Sequence, residues 1–276
     1  MEKHNNEVRR LITFLVLVFA LSGAATYALV IARQPNFVYL VMWCPAIAAF
    51  ITNGLYQHSL RGMGWGWGRT RWQVASYFLP IVYCLVAYGF IWLTGLGVLN
   101  TEQELRVGIF AGVSIPVNLV TFATLGVLVS AGSAAGEEIG WRGFLIPRLY
   151  GITRRNFTVT ALVGGVIWAV WHYPLVIFTG YNQGGPMAYS LLILSLQVIS
   201  AGLIVAWLRL KSGSLWVGVI FHASHNLWLQ QFFNPITASN GQTNLYIGEF
   251  GLVPTVVLIG TAIIFWGLRK HLATGN

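Results

Sequence analysis

The chain has 276 residues, of which 56% are hydrophobic and only 8% are charged. Lys and Arg outnumber the acidic residues by 16 to 7, which gives a formal net charge of +9, and every acidic residue is Glu. Soluble domains carry about 25% charged residues, so this composition excludes a soluble enzyme and a disordered chain. It predicts an integral membrane protein that crosses the bilayer several times.

Eight apolar segments are long enough to cross a bilayer, which takes about 20 residues. Continuous runs of this length argue against a transmembrane β-barrel, whose strands alternate over about 10 residues. The sequence therefore predicts an all-α polytopic bundle of about eight transmembrane helices, forming a single membrane domain over residues 1–276. The fourth helix can continue towards Leu149. The segments are 10–32, 36–56, 74–96, 108–131, 158–179, 187–208, 214–233 and 250–268.

The first segment also has features of a signal peptide, because a basic start and an apolar run precede the small residues 22–25. The apolar run continues through Ile31, however, and is longer than a usual signal-peptide core. We therefore expect an uncleaved membrane anchor.

The positive charges are distributed unevenly between the two sides of the predicted bundle. Fourteen of the 16 Lys and Arg residues lie at the termini or in the segments after spans two, four and six. The opposite segments hold only Arg33 and Arg106, together with Glu102, Glu104 and Glu249. The positive-inside rule then places both termini in the cytoplasm, which agrees with an even number of spans. The charge reflects topology and contact with anionic lipid, and no basic run with interleaved aromatic residues indicates nucleic-acid binding.

Ionisable residues inside a membrane domain are costly and point to function, and the first such group follows span four. Glu138 and Arg142 are four residues apart, so on a helix they share a face and can pair. Glu137 points about 100° away from Glu138 and has no basic residue three or four positions from it. The alternative interpretation is a salt-bridge cluster at a helix end, near the membrane surface.

The second group lies in span five, where Trp168 and His172 occupy one helix face. Pro174 cannot donate a hydrogen bond to the carbonyl of Val170, so we expect a kink that opens room for water or substrate. The alternative is a buried histidine that is bonded to a neighbouring carbonyl group.

The third group lies in span seven, where His222 and Asn226 are one helical turn apart and His225 can flank the same face. Hydrogen bonds to another helix are the alternative interpretation, since polar residues commonly bridge membrane helices.

Together the three groups supply what a hydrolytic site needs. A carboxylate such as Glu137 can act as a general base on water, and an imidazole can orient that water and carry a proton. A histidine and an asparagine can donate hydrogen bonds to a developing oxyanion. No His-Glu-x-x-His or Gly-x-Ser-x-Gly motif is present, and there is no Asp for an aspartyl protease.

The same side chains offer a metal-binding alternative, with Glu137, His172 and His222 as three Zn²⁺ ligands and water as the fourth. We favour a site without metal, because Asn226 suits an oxyanion better than zinc and no Cys or Asp completes a metal set. No cofactor is required by this interpretation.

The three motifs follow one another in a recognisable order: Glu-Glu-x-x-x-Arg at 137–142, Trp-x-x-x-His at 168–172 and His-x-x-x-Asn at 222–226. This order resembles the CPBP family of intramembrane proteases, which includes the CAAX prenyl endopeptidases and bacterial abortive-infection-type proteins. The resemblance covers the region between about 108 and 233.

The resemblance implies that Glu137 is the catalytic carboxylate and that His172 helps to activate water. His222 and Asn226 would then hold the oxyanion, with Glu138, Arg142, Trp168 and His225 as supporting residues. The second motif of the family more often begins with Phe, and we expect Trp168 to change packing without removing chemistry.

The predicted function is hydrolysis of peptide bonds in a membrane-associated peptide or protein, close to the cytoplasmic surface of a membrane. The composition and short loops favour a bacterial cytoplasmic membrane. A non-catalytic immunity factor or scaffold is the main alternative. A transporter is a weaker one, since no inverted repeat is visible.

Overall fold

A computed structural model of the chain describes residues 2–33, 37–100, 119–182 and 185–272. The first part of the fourth predicted span, residues 108–118, lies outside these ranges. Within them the chain forms helices α1 (Glu2–Ala32), α2 (Phe37–Tyr56), α3 (Thr70–Leu93), α4 (Leu119–Ile152), α5 (Phe157–Phe178), α6 (Met187–Ser212), α7 (Trp216–His225) and α8 (Leu252–Gly267).

The helical bundle confirms the predicted fold class. Among the described residues, seven helices are long and apolar enough to cross a membrane, and the helix that falls short is α7. It continues as a π-helix over Asn226–Phe233, so the predicted segment 214–233 is helical throughout most of its length. Its polar side chains lower its hydropathy. It is mostly buried between α3, α4 and α6 rather than facing lipid.

Helix α4 is longer than the fourth predicted span and continues past Leu149, as expected. Two π-helical stretches interrupt its regular winding, at Phe122–Gly126 and Ile139–Leu145. The second begins directly after the Glu137–Glu138 pair. Single π-helical turns are often found at functional sites, and here two of them adjoin polar motifs, since the π-helix after α7 begins at Asn226.

Small residues allow the helices that carry these motifs to pack closely. A Cβ atom on Gly136 would lie 2.6 Å from the carbonyl oxygen of Met42, and one on Gly140 would lie 2.4 Å from Pro45 Cβ. The Gly-x-x-x-Gly spacing therefore brings the backbones of α4 and α2 together, as small residues do in membrane helix pairs. This contact fixes α4 at the level of Glu137.

The first predicted span is an integral part of the bundle. Phe14 and Val18 of α1 are fully buried, and the Phe14 ring stacks on Phe144 with centroids 4.7 Å apart. The indole N–H of Trp171 donates to Ser22 Oγ over 2.7 Å. These contacts pack α1 against α4 and α5.

The positively charged segments gather at one end of the bundle, which we call the basic end. Arg148 at the end of α4 lies 3.8 Å from the Glu7 carboxylate near the start of α1. Lys211 at the end of α6 donates to the carbonyl of His271 after α8. Arg142 is a correction to the predicted distribution, because it is buried within α4 and not in a loop.

The opposite end of the bundle is joined by different contacts. Strands β1 (Val98–Leu99) and β2 (Thr237–Ala238) form a short antiparallel ribbon there, which the all-α prediction did not include. The indole N–H of Trp92 donates to Thr237 Oγ1 over 3.0 Å. The Tyr181 hydroxyl, after α5, donates to the carboxylate of Glu249, before α8.

Candidate active site

Glu137 is held by an indole group and not by a basic residue. Its side chain is buried, and its Oε2 accepts a hydrogen bond from Trp168 Nε1 over 2.8 Å. Among the described residues, Glu137 Oε1 makes no hydrogen bond, and the side chain lines a cavity. Glu137 thus accepts from Trp168, whereas Glu138 pairs with Arg142.

Glu138 and Arg142 form the predicted pair, with Arg142 Nη1 2.7 Å from Glu138 Oε1. The pair lies in the protein interior, with Glu138 0% and Arg142 2% exposed, so it is not a helix-end cluster at the surface. The Arg142 guanidinium also lies over the Trp168 ring, 4.1 Å from its centroid. Arg209 Nε donates to the backbone carbonyl of Arg142 over 2.8 Å, which ties α6 to this pair.

His222 approaches the same carboxylate from α7. Its Nδ1 lies 3.0 Å from Glu138 Oε1, and because a carboxylate oxygen accepts, Nδ1 carries the proton. Gly218, one turn earlier, leaves the space that this requires: a Cβ atom there would lie 2.4 Å from Glu138 Oε2. The alternative interpretation of His222 was a hydrogen bond to another helix. The bond to Glu138 of α4 is such a contact, and His222 also lines the cavity.

His172 is bonded through one ring nitrogen and has the other available. Its Nδ1 donates to the backbone carbonyl of Trp168 over 2.8 Å. In the neutral ring this leaves Nε2 as an acceptor. His172 lines the cavity beside Glu137. The carbonyl contact, which was the alternative interpretation of His172, is present, and it orients the ring without removing its basic atom.

Asn226 belongs to a chain of amide and carboxylate contacts. The Gln230 amide nitrogen lies 3.4 Å from Asn226 Oδ1 and 2.6 Å from Glu249 Oε1. With Oδ1 facing Gln230, the amide NH₂ group of Asn226 remains as a donor for the cavity that Asn226 lines.

His225, the flanking residue of the third motif, occupies a different environment. Its Nδ1 is hydrogen-bonded to the Tyr83 hydroxyl, and its Nε2 lies 4.0 Å from Glu249 Oε1. His225 does not line the cavity that contains Glu137. Its contact with Tyr83 instead joins α7 to α3.

One cavity of about 560 Å³ unites the four predicted catalytic residues, Glu137, His172, His222 and Asn226. Its other lining residues belong to the end of α1, the start of α2, the end of α5, the π-helix after α7 and the segment before α8. All of these lie at the end opposite the basic end. The sequence predicted that both termini are cytoplasmic and that cleavage takes place near the cytoplasmic surface. The cavity lies towards the end opposite the termini, so the two predictions do not agree with each other.

The metal-binding alternative does not fit the side-chain geometry. In the part of the chain that the structure describes, no group of three His, Cys, Asp or Glu side chains is placed to hold a metal ion. Glu137, His172 and His222 share the cavity wall, but they do not come together as such a group. We derive no step through a metal ion.

Sequence reasoning missed three residues that contact the site. Glu249 and Gln230 line the cavity, and the Tyr181 hydroxyl donates a hydrogen bond to Glu249. Glu249 is one of only seven acidic residues, but its position in a loop made it look like a topology signal. Its distance along the chain from the motifs hid its spatial proximity.

The comparisons with known proteins concern the segment that contains all three motifs. Residues 118–228 match the family model described as Type II CAAX prenyl endopeptidase Rce1-like. A curated relative, CAAX prenyl protease 2 of Methanococcus maripaludis, is 30% identical over 99 residues. The alignment covers 34% of this chain and 36% of the relative, so the chain spans about a third of that protein's length. These two matches support the resemblance of residues 118–228 to the CAAX proteases that the order of the motifs predicted.

Proposed function

We propose that this integral membrane protein is an intramembrane endopeptidase that hydrolyses a peptide bond of a membrane-associated peptide or protein. The observation that carries the proposal is one cavity lined by Glu137, His172, His222 and Asn226, which come from three helices. The family of the matched segment supports it, and so does the name of the relative. A bacterial cytoplasmic membrane is the proposed location.

Glu137 would act as the general base. Oε2 is fixed by Trp168 Nε1, which leaves Oε1 to take a proton from a water molecule in the cavity. Nε2 of His172 would accept a second hydrogen bond from that water, because its Nδ1–H is held by the Trp168 carbonyl. Trp168 thus orients both groups that contact the attacking water.

His222 and Asn226 would stabilise the tetrahedral intermediate. They are one helical turn apart on the same helix. Asn226 would donate to the oxyanion from its amide group. A protonated His222 would donate to it from Nε2, while its Nδ1–H keeps the hydrogen bond to Glu138. Removing one such donor typically costs about 10²–10³ in kcat. The proton taken by Glu137 would then pass to the leaving amine.

The test is cleavage of quenched fluorescent peptides, prenylated and unprenylated, by the purified chain in detergent. We expect Glu137→Gln to abolish cleavage with unchanged thermal unfolding. Glu7→Gln is the matched control, because Glu7 pairs with Arg10 at the basic end and should retain activity. Full activity in Glu137→Gln would overturn the assignment of the base.

A parallel assay with a strong chelator separates the mechanisms. Activity that survives the chelator supports the Glu–His mechanism, whereas loss that Zn²⁺ restores would move Glu137, His172 and His222 to metal ligands. Folded protein that cleaves no peptide would favour the non-catalytic immunity or scaffold role.

A further inference from the structure

We infer that the cavity takes its substrate from the extracytoplasmic side of the membrane. Its substrate class would be polypeptides whose cleaved segment lies outside, next to an apolar portion held in the membrane. The inference rests on the proposed function for the cleavage step, but the side on which the cavity opens follows from contacts and charges alone.

The mouth of the cavity is built from helix ends that lie opposite the basic end. Arg33 follows α1, Val38 lies in the first turn of α2, and Thr179 and Tyr181 follow α5. All of them line the cavity, together with Glu249 before α8. The floor is close to that end too. At 1.5 Å per residue, His172 lies about 9 Å from the last residue of α5 and about 22 Å from the first.

The route towards the basic end is closed by packed side chains. The loop after α2 inserts there: Met63 is fully buried and its Sδ accepts from the Asn53 amide over 3.1 Å. Leu215 N, just before α7, donates to the carbonyl of Gly64 over 2.8 Å. Arg142 itself fills the space beneath Trp168.

Gly64 shows how tightly this loop seals the basic end. It has a φ of +87°, and a Cβ atom there would lie 2.6 Å from a guanidinium nitrogen of Arg209. Arg209 in turn donates to the carbonyl of Arg142. The cavity at the basic end, which His4, Gln57 and Arg148 help to line, shares no lining residue with the cavity at Glu137.

The charge distribution then fixes which end is outside. The segments at the basic end carry nearly all Lys and Arg residues, and this bias holds when the buried Arg142 is left out. Positively charged segments remain in the cytoplasm during insertion. The mouth, where Arg33 is the lone Lys or Arg among the described lining residues, therefore faces outward.

The walls of the mouth indicate how a substrate enters. Leu29 and Val30 of α1, Val38 of α2 and Phe178 of α5 give it apolar sides. Val30 and Phe178 are also 39% and 66% exposed, on helices that are apolar enough to cross a membrane. A substrate anchored in the outer leaflet can therefore contact these walls while its polar segment reaches Glu137.

Cysteine labelling tests the orientation without requiring activity. In a chain with Cys44→Ala and Cys84→Ala, Thr179→Cys places a single thiol at the mouth and Arg61→Cys places one at the basic end. Both positions are exposed. A membrane-impermeant maleimide should label Thr179→Cys in right-side-out vesicles and Arg61→Cys only in inside-out vesicles. The reverse pattern would overturn the inference.

Cleavage in the same vesicles tests the substrate side. A lipid-anchored fluorescent peptide that cannot cross the bilayer should be cut when added to right-side-out vesicles, and not in those that carry Glu137→Gln. Cleavage confined to inside-out vesicles would overturn the inference even with the expected labelling. Expected labelling with no cleavage from either side would instead contradict the proposed function and leave the outward mouth supported.

Discussion

The indole N–H of Trp168 donates to Glu137 Oε2 over 2.8 Å. This contact corrects the sequence-based view of Trp168 as a packing variant of the more common Phe, because a Phe ring has no donor. The same indole lies beside both His172 and His222, with ring centroids 5.7 and 5.5 Å away. Trp168 therefore contacts side chains of all three motifs.

Trp168→Phe should reduce cleavage without unfolding the protein. The substitution retains an aromatic ring in the bundle but removes the hydrogen bond to Glu137. Hydrogen bonds to charged groups contribute about 1.5–3 kcal/mol, so we expect a loss in kcat of about 10- to 100-fold. Steady-state cleavage by the purified variant measures this loss.

Trp207→Phe is the control for that experiment. Trp207 is also buried, and its Nε1 donates to the carbonyl of Leu268 over 3.2 Å, so the substitution removes an indole hydrogen bond away from the cavity. Similar losses in both variants would show that the effect of Trp168 is structural.

Much of the fold was predictable because membrane helices follow a simple rule of length and hydropathy. The seven apolar helices, the extension of α4 and the clustering of positive charge all followed from the sequence. The π-helical stretches after Glu138 and His225 did not, since they depend on packing between helices and leave no hydropathy signal. The ribbon of β1 and β2 was missed for the same reason, as two-residue strands lack a pattern.

The candidate site was predictable where its residues share a helix. The four-residue spacing of Glu138 and Arg142 correctly gave their pairing, because helix geometry fixes it. The Trp168–Glu137 hydrogen bond and the approach of His222 to Glu138 join different helices, so spacing carries no information on them. The opening of the cavity depends on helix ends and on the loop at Met63, which only the assembled bundle shows.

Gly218→Ala should disrupt the site through steric overlap alone. The added methyl group would lie 2.4 Å from Glu138 Oε2, so the carboxylate must move away from His222. Overpacking of this kind costs about 1–3 kcal/mol, and we expect a lower melting temperature and loss of most activity.

Gly132→Ala provides the matched glycine control. It lies in α4, where a Cβ atom meets nothing within 4 Å. Because Ala has a higher helix propensity than Gly, this variant should be as stable and active as the parent. A harmless Gly218→Ala would show that Glu138 has freedom to move.

Glu138→Ala and Arg142→Ala should each destabilise the protein strongly. Each change leaves one buried charge without its partner, which costs about 3–5 kcal/mol, and activity should fall because His222 loses its support. Thermal unfolding in detergent measures the loss. Glu7→Ala breaks a more exposed pair with Arg10 and should cost about 1 kcal/mol or less; equal effects would contradict the buried position of the Glu138–Arg142 pair.

Glu249→Gln should separate positioning from chemistry. Glu249 lies outside the family-matched segment but accepts from Gln230, whose amide nitrogen also lies 3.4 Å from Asn226 Oδ1. A Gln side chain at 249 keeps the size but presents an NH₂ group where an oxygen now accepts, so the Asn226 amide loses its fixed orientation. We expect kcat to fall by about tenfold with a smaller change in KM, since oxyanion contacts act mainly in the transition state.

Glu249→Asp is the control variant, because it retains both acceptor oxygens and should recover part of the activity. If Glu249→Gln only raises KM, Glu249 would be assigned to substrate binding at the mouth.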